Sequence, residues 1–423
     1  MEADTKRRIG NWLIAGSLVG LVVSSAHLLA PRAAAQTAPD PGAATVVAGQ
    51  GMTPRRILRR GTPARTPTRT ATPTRTATST RTPVPPTSPP PPTPTRTPTR
   101  TATVVPVVPT PTPTPTRTAT RTPAPTVPPG PAPSLGGCPM LPANNIWNAR
   151  VDAAPVHPRS ADYIATIGAT RGLKADFGSG LWDGGPIGIP FVIVPSTQPL
   201  VPITFDYADE SDPGPYPIPP NAPIEGGPDS TGDRHILVLV QGQCKLYETW
   251  STYPNGDGTW RAGSGALFNL TSNALRPDGW TSADAAGLPL LPGLVRYDEV
   301  AAGAIRHAIR FTAQFTRRAY VWPARHYAST STDPARPPMG QRFRLKASFD
   351  TSGFATPVRV MLDAFKTYGL ILADNGSNWY LSGVPDERWD NDVLRALAQV
   401  HGSDFEAVDV SGMMVDPNSG QAR

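Results

Sequence analysis

Four side chains in the second half of the chain are candidates for catalysis: His235, Glu248, His326 and Arg325. His235 and Glu248 lie in a stretch from Asp233 to Trp250 in which two apolar runs flank Gln241-Gly242, and this pattern predicts a β-hairpin. A two-residue loop would place His235 directly opposite Glu248, about 4.5 to 5.5 Å apart at Cβ. An imidazole beside a carboxylate can act as or orient a general base, although purely structural pairs use the same two residue types.

Histidines and acidic residues also raise the question of a bound metal ion. His235, His307 and His326 could bind zinc as neutral imidazoles, but no HxH or HExxH spacing fixes two ligands locally. Calcium prefers oxygen ligands, which one acidic loop could provide through Asp206, Asp209 and Asp212. That loop lacks the spaced DxDxDG pattern of a calcium loop, so a solvated acidic segment is the alternative. We expect no other cofactor.

Carboxylates and aromatic side chains together indicate carbohydrate chemistry. Cleavage of a glycosidic bond requires two carboxyl groups about 5 to 10 Å apart, and this chain has many acids without an ExDxE pattern that would select a pair. Flat aromatic faces beside polar groups are typical of sugar sites, and the candidates for such stacking are Trp280, Trp182 and Tyr216. Packing in the core is the alternative for each. Gly263-Ser264-Gly265 is not a GxSxG motif, so a serine hydrolase is not indicated.

Charge is distributed unevenly along the 423 residues. The segment before Cys138 contains 16 Lys/Arg and 3 Asp/Glu, whereas the chain from Cys138 onward contains 23 and 29. The net charge of +7 therefore comes from the N-terminal segment, and the remainder carries −6. Because the folded part is acidic, we expect no nucleic-acid partner.

The N-terminal segment has the features of an export signal followed by a linker. Thr5-Lys6-Arg7-Arg8 precedes an apolar run and then Ala33-Ala34-Ala35, which predicts a signal peptide over residues 1–35, or a retained membrane anchor. Residues 36–137 repeat Thr, Pro and Arg and predict a disordered stalk, since they have little to bury. We expect a secreted protein or one on the extracellular side of the cell envelope, with membrane contact only through the anchor.

The two cysteines, Cys138 and Cys244, follow this segment. An exported protein meets an oxidising compartment, so we expect them to form a disulfide, with two buried free thiols as the alternative.

Residues 138–423 predict one globular, mainly β domain: a two-sheet β-sandwich, jelly-roll-like, with two short appended helices. The first helix is predicted after Thr356 as cap with Pro357 in its first turn, and the second after Asp390 as cap. Asn375-Gly376 predicts a hairpin that pairs Leu372 with Trp379. The predicted strands are 189–194, 201–207, 235–240, 244–249, 259–270, 307–312, 318–322, 342–349, 370–373, 379–382 and 405–410.

The runs TSADAAGLPLLPGLVRYDEV, HAIRFT, ASFDTSGF and ADNGSNWYLSG resemble an uncharacterised group of exported bacterial proteins, and the resemblance covers most of residues 138–423. It implies one coherent exported domain and no catalytic residue. Our functional expectation is a protein that acts on or binds an extracellular polysaccharide or other glycan, as a glycoside hydrolase or polysaccharide lyase. The alternative is a non-catalytic module for cell-surface adhesion or structure.

Overall fold

The computed structural model describes residues 132–423, so the predicted signal peptide or anchor and nearly all of the predicted stalk lie outside the described residues. The described chain consists mainly of strands, with a few short helices, which confirms the mainly β class. The strands are β1 Ser134–Leu135, β2 Cys138–Pro139, β3 Lys174–Asp176, β4 Leu181–Trp182, β5 Gly185–Pro186, β6 Phe191–Val194, β7 Ile203–Phe205, β8 Ile236–Val240, β9 Lys245–Trp250, β10 Tyr253–Pro254, β11 Trp260–Ala262, β12 Ser264–Asn269, β13 Ile309–Ala313, β14 Arg342–Leu345, β15 Leu370–Asn375, β16 Tyr380–Ser382 and β17 Phe405–Val408. The α-helices are α1 Ser160–Ile167, α2 Tyr297–Ala301, α3 Thr356–Thr367 and α4 Asn391–Arg395.

These strands divide among several sheets. The largest has six strands in the order β17-β14-β15-β13-β16-β3, the next has four in the order β12-β9-β8-β6, and a third has three in the order β10-β11-β7. The pairs β1-β2 and β4-β5 are separate two-stranded sheets. Parallel pairs occur in all three larger sheets, between β13 and β15, β16 and β3, β6 and β8, and β7 and β11. Parallel neighbours are joined by long connections, so the chain crosses between distant segments.

Strand β8 shows why the four-stranded sheet lies inside the molecule. All five of its residues, ILVLV, are buried, and successive side chains of a strand point to opposite faces. Leu237 and Leu239 belong to the larger apolar cluster, whereas Ile236, Val238 and Val240 belong to a second cluster. The sheet is therefore covered by apolar side chains on both faces, which is typical of a continuous apolar strand.

The larger apolar cluster joins this sheet to the six-stranded sheet and to the helices. Aromatic rings in and next to the six-stranded sheet pack together, with the ring centroid of Phe311 5.3 Å from that of Phe343 and 5.4 Å from that of Trp379. Helix α3 buries Met361 and Phe365 in the same cluster, as its 3.6-residue periodicity predicts.

The caps of the helices agree only in part with the predictions. Asp390 does cap α4, because its side chain accepts hydrogen bonds from the backbone N–H groups of Asp392 and Val393. The prediction that Thr356 caps α3 is wrong, since Thr356 is the first helical residue and Ala355 occupies the cap position.

The predicted hairpin at Asn375-Gly376 is also wrong. Strand β13 lies between β15 and β16, so Leu372 pairs with Phe311, and Phe311 pairs on its other side with Leu381. The predicted strand over 318–322 is absent from the described sheets, and α1 was not predicted. Within residues 132–423, none of the helices has the length and hydropathy needed to cross a membrane.

The predicted disulfide is confirmed. Cys138 and Cys244 are bonded, with their Cα atoms 5.2 Å apart and 106 positions apart in the sequence. The bond ties strand β2 to the loop between β8 and β9. Strand β1, Ser134–Leu135, lies a few residues before the predicted domain boundary at Cys138 and pairs with Cys138–Pro139.

Candidate active site

A cleft of about 820 Å³ opens beside the edge strand β3 of the six-stranded sheet. Its lining includes side chains from β3, β4, β16 and α4, together with the loop that precedes β8. The volume is within the range of roughly 300 to 1,000 Å³ that is usual for ligand sites. Two carboxyl groups line it, those of Asp176 and Glu225.

Asp176 is the last residue of β3, where it pairs with Ser382 of the parallel strand β16. Its side chain is exposed toward the cleft, and neighbouring protein atoms partly desolvate the carboxyl group. This burial, together with the like charge of Glu225, raises the pKa of Asp176 above its ordinary value. Asp176 therefore retains its proton to a higher pH than an ordinary aspartic acid does.

Glu225 is held by His235 through backbone and side chain. The Glu225 N–H donates to the carbonyl oxygen of His235 at 3.0 Å, and Nδ1 of His235 lies 2.6 Å from Oε2 of Glu225. The other ring nitrogen, Nε2, lies 2.9 Å from the carbonyl oxygen of Ala283. Because both ring nitrogens face acceptor oxygens, both must donate, and His235 is an imidazolium.

Electrostatics agree with this protonation state. Burial lowers the pKa of His235, but the charge and hydrogen bond of Glu225 outweigh it and raise the pKa to about 9. At neutral pH the two residues therefore form a buried imidazolium–carboxylate pair. Glu225 lines the cleft beside this buried imidazolium, whereas no cationic partner of this kind is bonded to Asp176 among the described residues.

The predicted pairing of His235 with Glu248 is wrong. Leu237 faces Glu248, because four residues and not two connect β8 to β9, which moves the register by two positions. Glu248 is completely buried and accepts hydrogen bonds of 2.8 to 3.0 Å from the N–H groups of Leu290 and Leu291. Burial raises the pKa of Glu248 to about 7, and these two N–H groups oppose the shift. Glu248 thus anchors the 290–291 backbone and does not line the cleft.

A buried charged network centred on Arg310 supports the wall of the cleft. Its guanidinium donates to Asp284 Oδ2 at 2.7 Å, to Ser382 Oγ at 2.6 Å and to Asp374 Oδ2 at 2.9 Å. Ser382 is the sheet partner of Asp176, so the network fixes the strand beside the candidate acid. No local sequence pattern connects these residues, because they come from separate strands and loops.

Arg325 and His326 lie elsewhere. Arg325 is buried and donates to the carbonyl oxygens of Arg276 and Pro417 and to the side chain of Asn418. His326 Nδ1 lies 2.9 Å from the carbonyl oxygen of Ala285. Neither residue lines the cleft, and the contacts of Arg325 hold the C-terminal segment in place.

The three aromatic candidates have different surroundings. Trp182 is 78% exposed and lines the cleft. Trp280 is half-buried beside the guanidinium of Arg276, 5.5 Å from its ring centroid. Tyr216 is 1% exposed and packs on Phe205 in the second apolar cluster, so it offers no surface to a substrate.

The proposed calcium ligands are not brought together as a group. Asp212 accepts a hydrogen bond from the Leu267 N–H at 2.8 Å and pairs with the Arg276 guanidinium. Among residues 132–423, the ligand atoms of Glu225, Asp233 and His235 do lie within 4.8 Å of one another. However, an imidazolium has no lone pair for a metal, so His235 is unsuitable as a ligand in this geometry.

No family model, curated protein or solved structure matches this chain.

Proposed function

We propose that this protein hydrolyses glycosidic bonds in an extracellular carbohydrate polymer, with Asp176 as general acid and Glu225 as its carboxylate partner. The observation that carries the proposal is that two carboxyl groups with different surroundings line one cleft. Burial and like charge favour the protonated form of Asp176, whereas an imidazolium neutralises ionised Glu225. Hydrolysis of a glycosidic bond needs one protonated and one ionised carboxyl group.

Each residue has a defined task in this mechanism. Asp176 donates its proton to the oxygen of the departing sugar. As the bond between that oxygen and the anomeric carbon breaks, Glu225 either takes a proton from the water molecule that bonds to this carbon or bonds to the carbon itself. In the second case water then hydrolyses the covalent intermediate and returns a proton to Asp176. His235 is a positioning residue: its Nε2 contact with the Ala283 carbonyl oxygen fixes the ring, and its Nδ1 contact orients the Glu225 carboxylate.

The surface of the cleft suits a sugar polymer. Trp182 presents an exposed ring at the cleft, and Tyr380 lines it with its hydroxyl 3.3 Å from Lys174 Nζ. Aromatic rings of this kind stack on sugar faces while neighbouring polar groups direct hydrogen bonds.

The disulfide supports the extracellular part of the proposal, because such bonds persist in oxidising compartments. With the predicted export signal, it favours a location outside the cell or on the outer side of the envelope. We also propose that the four- and six-stranded sheets represent the predicted sandwich, since both contribute to one apolar cluster.

A second candidate is a non-catalytic surface module that only binds glycans. The 78% exposure of Trp182 favours it, since an aromatic ring alone is enough for sugar stacking. Binding without any release of new chain ends would support this candidate over hydrolysis.

A polysaccharide panel tests the proposed function. The full chain is incubated with each polymer, and the release of reducing ends is measured for the wild type, Asp176→Asn, Glu225→Gln and Asp257→Asn. We expect each of the first two substitutions to lower the rate by about 100-fold or more, because loss of acid or base catalysis costs about that much. Asp257 is exposed and lies outside the cleft, so Asp257→Asn is the matched control. Folded variants of Asp176 and Glu225 with wild-type rates would contradict the proposal.

A further inference from the structure

We propose that the cleft is built for an anionic glycan, a polymer whose sugars carry carboxylate groups. This inference rests on the proposed function and names its substrate class. Three cationic side chains, Arg171, Lys174 and Arg395, line the same cleft as Asp176 and Glu225.

The cationic lining contrasts with the rest of the folded chain. From Cys138 onward Asp and Glu outnumber Lys and Arg by 29 to 23, whereas in the cleft three bases accompany two acids. All three bases are exposed, so their charges are available to a ligand. Arg395 pairs with Asp392, but both side chains are largely exposed, and surface pairs of this kind are weak.

The two acids of the cleft do not cancel this positive charge. Glu225 is neutralised by the His235 imidazolium, 2.6 Å away. Burial and the like charge of Glu225 raise the pKa of Asp176 above its ordinary value, which favours its neutral form. Asp233 lies within 4.8 Å of the Glu225–His235 pair, but it does not line the cleft, and it accepts the indole N–H of Trp250. The lining therefore has a positive charge available to an anionic ligand.

Lys174 lies where it can select such a substrate. Lys174 and Asp176 are two positions apart on β3, so their side chains point to the same face, about 7 Å apart along the strand. An ammonium at this distance can bind a sugar carboxylate while Asp176 protonates the neighbouring glycosidic oxygen. The Lys174 side chain is held there by Tyr380, whose ring centroid is 4.8 Å from Nζ.

The test compares polyuronates with the same polymers after methyl esterification, which removes the charge and keeps the backbone. The ratio of kcat/KM for the acid and ester forms is measured with the full chain for the wild type, Lys174→Met and Lys245→Met. Because all three proteins share the arginine-rich segment before Cys138, its attraction for polyanions cancels in this comparison. Lys245 lies on β9 outside the cleft and is the matched control.

We expect the acid-to-ester ratio of kcat/KM to be lower in Lys174→Met than in the wild type by about fivefold or more, as for loss of one charge-assisted hydrogen bond. Lys245→Met should keep the wild-type ratio. Equal cleavage of acid and ester forms, or an unchanged ratio in Lys174→Met, would overturn the inference and leave the proposed function standing. Cleavage of neither form of any polymer would overturn both. If single-stranded DNA inhibits polyuronate cleavage by the wild type more strongly than by Lys174→Met, the cleft is a nucleic-acid site and the inference is overturned.

Discussion

His235 retains a proton in the folded protein because both of its ring nitrogens face oxygen atoms. Its pKa is raised to about 9 from an ordinary value of about 6.5, so the folded state binds this proton more tightly than the unfolded state does. The pair with Glu225 therefore stabilises the fold fully below pH 6.5, and this contribution is lost as the pH rises through 9. The pair links the proposed catalytic carboxylate to the stability of the domain.

This linkage predicts a difference between the wild type and His235→Gln. The difference in their free energies of unfolding should shrink by about 3 kcal/mol between pH 6 and pH 10, the equivalent of the raised pKa. Urea unfolding at several pH values measures it. A difference that stays constant over this range would show that His235 is not an imidazolium in the folded state.

Glu248 should matter for stability and not for chemistry. Substitution by Ala leaves the buried N–H groups of Leu290 and Leu291 without their acceptor, at a cost of about 3 kcal/mol or more. Urea unfolding of Glu248→Ala measures this cost, and Glu406→Ala, with a partly exposed carboxylate, is a comparison that should lose less. A Glu248→Ala protein of wild-type stability would contradict the assigned role.

The sequence pattern predicts His235 and Glu248 as polar residues of a buried hairpin, but the predicted pairing between them is wrong. A polar residue in an apolar strand signals a buried partner without identifying it. The loop has four residues and contains Cys244, whose positive φ of 50° and disulfide are compatible with the longer connection. The true partners, Glu225 and the Leu290 backbone, come from loops that no local pattern connects to the hairpin.

The hairpin of β4 and β5 is the element that carries Trp182 to the cleft. Its turn is Asp183-Gly184, and both residues have positive φ, as a two-residue hairpin turn requires. Behind it, Gly185 packs directly on Gly226, the neighbour of Glu225. A Cβ added to Gly185 would lie 2.0 Å from the Gly226 carbonyl carbon. The close approach of these two glycines therefore couples the hairpin to the position of Glu225.

Gly185→Ala should push the β4–β5 hairpin away from the loop that contains Gly226 and Glu225. We expect at least a tenfold loss of polysaccharide hydrolysis, since small displacements of catalytic groups cost about that much. Gly353→Ala is the control, because a Cβ at Gly353 meets nothing within 4 Å. Reducing-end release measures both variants, and full activity in a folded Gly185→Ala would contradict the coupling.

Elements defined by local sequence are predicted well, and those defined by distant pairing are not. The body of α3, the Asp390 cap and the apolar run of β8 all follow from periodicity or capping. The Asn375-Gly376 turn is different, because β13 arrives from some sixty positions earlier and inserts between the two strands that the turn was expected to pair. Pairing of this kind depends on packing of the whole core.

For the whole molecule, the disulfide is the covalent connection between β2 and the central four-stranded sheet. It closes a loop of about 106 residues, which includes the cleft residues Asp176, Trp182 and Glu225. In the chain-entropy description, closing a loop of this length stabilises the folded state by about 4 to 5 kcal/mol. The bond therefore contributes to the integrity of the cleft as well as of the core.

Replacing both cysteines, as Cys138→Ala with Cys244→Ala, should lower the free energy of unfolding by roughly 4 kcal/mol. Urea unfolding of the double variant and of reduced wild-type protein measures the loss, and the two should agree. A double variant that unfolds at the same urea concentration as the oxidised wild type would contradict this role.

The overall class and the disulfide were predictable from the sequence because strand patterns and cysteine counts are local or compositional. The number of sheets was not predictable, since parallel pairs such as β6 with β8 join segments more than 40 positions apart. The cleft follows from that topology. Asp176 and Glu225 line the same cleft because β3 lies at the edge of a sheet that no short pattern predicts.

The most direct test of Asp176 as general acid, with Glu225 as its carboxylate partner, is the pH dependence of polysaccharide hydrolysis. If Asp176 donates the proton, wild-type kcat/KM falls as the pH rises through its raised pKa, and Asp176→Asn abolishes that fall together with most of the activity. A rate that shows no loss on the alkaline side, or an Asp176→Asn variant that keeps the same alkaline loss, would contradict the account.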